Sequence, residues 1–277
     1  MKKILFAASE GVPFIKTGGL ADVVGSLPKC IDKQYFDVRV ILPKYGCMKQ
    51  ELKDKMTYVN HFYMDYNWKS EYVGIMEAVV DDVHYYFIDN EYYFGGSKVY
   101  SDDPRWEIER YAYFSKALLS ALPVIGFQPD VIHCHDWQTG LVPVYMKERF
   151  HDGDFFRNMK SIMTIHNLKF QGQYDPFVLG DVLGLEGTPA EPQLLTCKNG
   201  RRESVNYMQG AVCYADRVTT VSPTYAEEIR TPYYGENLDW LFRKRSDVLS
   251  GILNGIDTKD LDPAADPSLP YPYDLSD

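Results

Sequence analysis

Short apolar runs alternate with segments whose apolar residues recur at helical spacing, and this alternation restricts the chain to an α/β fold built on a largely parallel sheet. Residues 4–8 read as a strand that ends in a Gly- and Pro-containing loop; Leu20, Val23, Val24, Leu27 and Ile31 then mark a helix reaching about Lys33. A second strand is expected over 37–42, and residues 57–89 hold alternating stretches such as Tyr72-Val73-Gly74-Ile75-Met76-Glu77, the pattern of antiparallel ribbon. A helix over 105–122 comes next, followed by a strand over 131–135, a helix over 139–150 and a strand over 160–166. The last part of the pattern is a helix around 203–214, a strand over 217–221, and a helix opening at Ser222-Pro223, where Ser caps and Pro takes the first helical position. The expected architecture is a Rossmann-like doubly wound sheet. From Asp262 onward Pro263, Pro267, Pro270 and Pro272 crowd together, the composition of a linker.

Charge narrows the partners. Twenty-nine basic and thirty-nine acidic residues leave a net charge of −10, which disfavours nucleic acid and anionic membrane, so any anionic ligand must be held by local groups. The 22 tyrosines offer flat apolar faces with a hydroxyl at the rim, suited to stacking on sugars, although most are expected to serve as ordinary core and surface aromatics. The apolar run after Met1 is cut short by Ser9 and Glu10, too early for a signal peptide or a membrane span, and a cytoplasmic setting is expected. Cys30, Cys47, Cys134, Cys197 and Cys213 are scattered without a C-x-x-C pair and are expected to be reduced thiols.

Three motifs carry candidate chemistry, each at the end of a strand. The loop from Glu10 through Lys16, Gly18 and Gly19 to Leu20 follows the first strand and opens the first helix. Its glycines would let backbone N–H groups approach a phosphate while Lys16 adds a full positive charge; an ordinary Gly-rich turn is the alternative, since neither G-x-G-x-x-G nor a P-loop is present. His133-Cys134-His135-Asp136-Trp137 closes another strand. Two imidazoles at i and i+2 beside an aspartate admit a metal-dependent hydrolase, but only His166 is a plausible further His ligand; no metal is expected, and His133 reads better as a core histidine. Thr164-Ile165-His166-Asn167 ends the next strand and would bring His166 to the edge that holds Asp136, where carboxylate, imidazole and amide suit sugar hydroxyls. Asp152 and Asp154 lie in a polar loop and read as solvated.

The order of Lys-Thr-Gly-Gly-Leu-Ala-Asp-Val-Val-Gly-Ser-Leu-Pro from 16, His-Asp-Trp from 135, His-Asn-Leu from 166 with Gln-Gly at 171, Val-Ser-Pro-Thr-Tyr-Ala-Glu-Glu-Ile from 221 and Gly-Ile-Leu-Asn-Gly-Ile-Asp from 251 resembles the ADP-glucose-using glycogen and starch synthases. The resemblance runs from residue 1 to about 262 and implies the amino-terminal half of a two-domain GT-B glycosyltransferase. It divides the chain into an acceptor-side domain, 1–250, and a hinge with linker, 251–277, leading toward a carboxy-terminal donor domain. The implied reaction is retaining transfer of glucose from ADP-glucose to an α-1,4-glucan, without metal or other cofactor; the alternative is a glucan-binding module with no transferase activity of its own. By matching positions, the resemblance implies that Lys16 and the backbone of Gly18 and Gly19 contact the donor phosphates, with Asp22 supporting the loop. His166 and Asn167 would bind the transferred glucose, Asp136 would sit near the reacting sugars, Tyr100 would form part of the donor-side wall, and Asn254 would fall at the hinge. Three departures from the family's pattern stand out: Gly95-Gly96 for Asp-Arg, Phe170 for a tyrosine, and Gln209 for a lysine.

Overall fold

The computed structural model describes residues 1–277 apart from 67, 199–200, 259–260 and 275–277, so the expected linker lies partly outside the described residues. Its frame is a nine-stranded sheet. In chain order the strands are β1 (Lys2–Ala7), β2 (Phe36–Pro43), β3 (Thr57–Tyr66), β4 (Lys69–Val80), β5 (Val83–Asp89), β6 (Val131–His135) and β7 (Lys160–Ile165). A separate three-stranded sheet holds β8 (Gln173–Tyr174), β9 (Leu195–Lys198) and β10 (Arg201–Asn206), and β11 (Arg217–Thr220) and β12 (Leu249–Gly251) complete the large one.

The large sheet runs β12-β11-β7-β6-β1-β2-β5-β4-β3, parallel from β12 to β5, with antiparallel pairing of β5 to β4 and β4 to β3. The expected doubly wound α/β fold is therefore present. Strand order reverses between β1 and β6: from β1 the chain crosses to β2 on one side, and β6 later returns to pair on the other. A crevice opens at such a reversal because neighbouring loops leave in opposite directions.

Burial follows from strands covered on both faces. Leu5, Phe6 and Ala7 of β1, Val40, Ile41 and Leu42 of β2, and Tyr85, Phe87 and Ile88 of β5 are fully or almost fully buried, near-continuous apolar runs as a parallel sheet requires. The helices Pro104–Val124, Leu141–Glu148 and Tyr207–Tyr214 pack side by side, and the first of them also packs on β3, β4 and β5. Pro104–Val124 starts where Asp103 accepts hydrogen bonds from Arg105 N (2.9 Å) and Trp106 N (3.4 Å), with Pro104 in the first turn. Ser222 caps Pro223–Glu228 through Tyr225 N at 2.9 Å, as the Ser-Pro pair suggests.

Two expected helices are shorter than their periodicity suggests. The segment 203–214 divides at Asn206: Ser204 and Val205 pair across β10 to Thr196 and Leu195 of β9, and the Asn206 side chain then caps Tyr207–Tyr214 by accepting from Gln209 N at 2.9 Å. Cross-strand pairing outweighs helix propensity there. The segment 139–150 opens as a 3₁₀ turn, Trp137–Thr139, before the helix Leu141–Glu148. All five cysteines are free.

The first helix, Gly19–Cys30, lies unusually close to the loop that precedes it. A Cβ on Gly25 would sit 2.2 Å from Val12 Cγ2 and 2.5 Å from the Val12 carbonyl oxygen, so only glycine permits this approach. Gly25→Ala should therefore push helix and loop apart and lower unfolding stability by about 1–3 kcal/mol; urea denaturation measures it, and wild-type stability would show that the contact yields freely.

Candidate active site at the strand reversal

A crevice of about 840 Å³ lies at the carboxyl ends of the central strands. Seven of the nine positions singled out from the sequence line it: Gly18, Gly19, Tyr100, Asp136, His166, Asn167 and Asn254. Lys16 and Asp22 stand outside the lining. They form an ion pair with each other, Nζ to Oδ1 2.7 Å, with both side chains about half exposed.

The Gly-rich loop owes its shape to Glu10, which the sequence reading passed over. This carboxylate is almost wholly buried just past β1 and accepts from Thr17 N, Thr17 Oγ1 (2.8 Å), Gly18 N (3.3 Å) and the Tyr100 hydroxyl (2.9 Å). An acidic residue directly between a buried strand and a Gly-rich turn was the available signal, because burial there requires a set of donors. Tyr100 is positioned in turn by a buried ion pair, Glu107 Oε1 to Arg110 Nε at 2.9 Å. Glu107 accepts from Ser101 N at 2.8 Å and Arg110 donates to the Val99 carbonyl, gripping the backbone on both sides of Tyr100. The loop then leads into the helix at Gly19 and Leu20, which line the crevice at the positive end of the helix dipole.

Asp136 holds the opposite wall. Its backbone, φ 54° and ψ 179°, lies in a region that almost only glycine occupies, and the strain is held by hydrogen bonds. Oδ1 accepts from His166 N at 2.7 Å and from Asn167 N at 3.4 Å, tying the end of β7 to the end of β6. Burial pushes this carboxyl up to about 7; the two N–H donors oppose the rise and the nearby charge of Glu10 adds to it. Asp136 thus acts on the backbone of His166 as well as facing the crevice.

Three histidines lie together at this wall, His166 lining the crevice and His135 buried behind it. His135, fully buried, stacks on Phe6 and on His133, which also touch each other, and its Nδ1 lies 2.9 Å from His166 Nε2. His133 Nε2 bonds Thr164 Oγ1 at 2.6 Å, and that hydroxyl meets Thr219 Oγ1 at 2.6 Å; His133 is half-buried and held by a side chain, not sealed in the core. Desolvation lowers all three imidazoles, His133 to about 3, His166 to about 4 and His135 well below its ordinary value. Among the described residues no three His, Cys, Asp or Glu side chains are grouped as metal ligands.

A further stretch of the lining runs from Lys169 to Gln173. Phe170 projects into the crevice with its ring largely exposed, while Gly172, φ +64°, lies so close to Trp137 that a Cβ would fall 2.3 Å from the indole. Gln209 stands away from the crevice lining and is buried, donating to the carbonyls of Gln193 and Leu195 at 2.9 Å each. Gly95 is approached by Gly46, whose N–H donates to Phe94 O at 2.8 Å.

Residues 3–244 match the family described as the starch synthase catalytic domain. The chain belongs to that family. Among its relatives, a glycogen synthase of Lachnospira eligens is 57% identical over 276 residues, covering 99% of this chain and 56% of the relative. A glycogen synthase of Anoxybacillus flavithermus is 48% identical over 276 residues, 99% of this chain and 55% of the relative. The catalytic domain of starch synthase IV from Arabidopsis thaliana, bound to ADP and acarbose, superposes with a TM-score of 0.88 at 32% identity, covering all of this chain and 56% of that one. The chain thus spans little more than half the length of the relatives it matches. Among the described residues, no helix is long and apolar enough to cross a membrane.

The histidine cluster sets an acid limit on stability. Each imidazole binds a proton more readily in the unfolded chain, near 6.5, than in the fold, so the cluster contributes stability that is lost as pH falls below about 6.5. Asp136 has the opposite sign: raised from 3.8 to about 7, it makes stability fall as pH rises through that interval. Three histidines outweigh one carboxyl, so the urea midpoint should drop between about pH 6.5 and pH 4.5, and His166→Gln should flatten the slope by roughly one proton. An unchanged slope would place a charged His166 in the fold.

Proposed function

We propose that this chain is the acceptor-side half of a glycogen or starch synthase that transfers glucose from ADP-glucose to the non-reducing end of an α-1,4-glucan with retention of configuration. The observation that carries this reading is the convergence of the Gly18-Gly19 helix start, Tyr100, Asp136, His166 and Asn167 on one crevice. The ADP bound to the starch synthase IV domain is the leaving group such a reaction requires. No metal or other cofactor enters the reading, and a cytoplasmic setting accompanies it.

In the transfer, the bond from glucose C1 to the diphosphate oxygen breaks, C1 bonds the acceptor's 4-hydroxyl oxygen, and the hydroxyl proton passes to the departing phosphate. Negative charge grows on the diphosphate as the sugar becomes oxocarbenium-like, so fixed positive groups there favour the transition state. The helix start at Gly19 and the ammonium of Lys16 fill that role. Lys16's bond to Asp22 does not prevent it: an exposed pair is worth about 0–1 kcal/mol, less than a charge-assisted phosphate contact. His166 and Asn167 orient the glucose, and Phe170 offers a face on which an acceptor sugar can stack.

The second domain that the family's reaction calls for belongs to this proposal, since a donor held by one wall alone stays solvated and mobile. In the full-length enzyme, Lys16→Ala should lower kcat/KM for ADP-glucose about 10- to 100-fold, the equivalent of roughly 1.5–3 kcal/mol, with little change in folding. Retention of the wild-type value would remove Lys16 from the mechanism. Residues 1–277 alone, incubated with radiolabelled ADP-glucose and glycogen, should yield no labelled polymer yet bind maltooligosaccharide weakly by calorimetry. Transfer near full-length rates would refute the two-wall reading. Loss of both transfer and binding would remove the acceptor site from this half.

A further inference from the structure

We infer that His135, buried behind the crevice, fixes the proton of His166 on its crevice-side nitrogen, making His166 a hydrogen-bond donor to the ligand. The inference rests on the proposed sugar-binding role of the crevice for its consequence, while the tautomer itself is a property of the chain alone. His135 Nδ1 and His166 Nε2 lie 2.9 Å apart. Both rings are neutral at physiological pH because burial disfavours their charged forms, so one proton lies between the two nitrogens and two arrangements are possible.

In the first, His135 carries its proton on Nδ1 and donates to His166 Nε2. His166 then bears its own proton on Nδ1, and His135 Nε2 is a bare lone pair. In the second, His166 donates from Nε2, His135 must carry its proton on Nε2, and His166 Nδ1 is a bare acceptor.

His135 Nε2 decides between them. It is buried and has no hydrogen-bond partner, enclosed where the ring stacks against Phe6 and His133. An orphaned buried N–H is rarer in folded proteins than an acceptor left without its full complement, so the first arrangement is favoured. His166 Nδ1, which has no partner among the described residues, then carries the hydrogen on a ring that lines the crevice.

The chemical consequence is specific. With Nε2 occupied by His135 and Nδ1 protonated, neutral His166 has no free lone pair for a substrate proton and cannot serve as a general base. It can donate to a sugar hydroxyl or phosphate oxygen, and the bond needs no tautomer change when ligand arrives. The Asp136 carboxylate fixes the backbone of the same residue through His166 N, so ring proton and main chain are set by adjacent residues of one strand end. His135 is therefore a positioning residue that acts through His166.

The test is long-range proton–nitrogen correlation spectroscopy of ¹⁵N-histidine-labelled chain at pH 7.5, with the His166 signals identified by their loss in His166→Gln. The expected pattern is a protonated-type Nδ1 and a bare-type, hydrogen-bonded Nε2 for His166, with the Nδ1-protonated form also at His135. Protonation of His166 at Nε2 overturns the inference. His135→Phe keeps a ring of similar size and removes the donor, and His166 should then move to averaged shifts of both tautomers. A His166 that stays protonated at Nδ1 in this variant would show that His135 is not the lock. If the phenylalanine variant fails to fold, the wild-type spectrum still decides the tautomer and His135→Gln tests the donor. Failure of the transfer reading would leave these spectra unchanged, so the two outcomes are separable.

Discussion

A parallel sheet covered on both faces offers the solvent little but its strand ends, and the reversal between β1 and β6 decides where those ends open. Most of the crevice-lining positions singled out follow such an end: Gly18 and Gly19 after β1, Asp136 after β6, His166 and Asn167 after β7, Asn254 after β12; Tyr100 comes instead from the segment ahead of the helix Pro104–Val124. The rigid frame fixes the origins of these loops to the accuracy of a hydrogen-bonded ladder. What remains is to fix the loops themselves.

Two carboxylates do this, with different chemistry. Glu10 accepts from Thr17, Gly18 and Tyr100 and so draws the Gly-rich loop and the Tyr100 segment toward β1. Asp136 spends its acceptor on backbone N–H groups of the neighbouring strand end and tolerates a strained backbone to do so. Neither forms an ion pair with a described residue, and Lys16 pairs with Asp22 outside the crevice lining. The crevice lining itself is mainly acidic, with Glu10, Asp102, Glu107 and Asp136 against Lys169, so the helix start at Gly19 is one of its few positive features.

The frame was legible because its strands are continuous apolar runs, a signal that depends on composition over several residues. The site positions at the strand ends were legible for the same reason: once 131–135 and 160–166 read as neighbouring strands, Asp136 and His166 had to share an edge. Glu10 was not, because its partners are backbone amides seven and eight residues away and a tyrosine at 100. The break at Asn206 was hidden too, since β10 exists only by pairing with residues near 196 and 174. The proton between His135 and His166 depends on a 2.9 Å contact between strands far apart in sequence, which periodicity cannot register.

The most direct test of a crevice built at the strand reversal is hydrogen–deuterium exchange of the chain with and without a long maltooligosaccharide, resolved to peptides. Protection concentrated in segments 8–20, 98–108 and 164–173 is the predicted result, since these carry the loops that meet in the crevice. Protection confined to the outer ribbon around 57–80, with the three loop segments unchanged, would contradict the account.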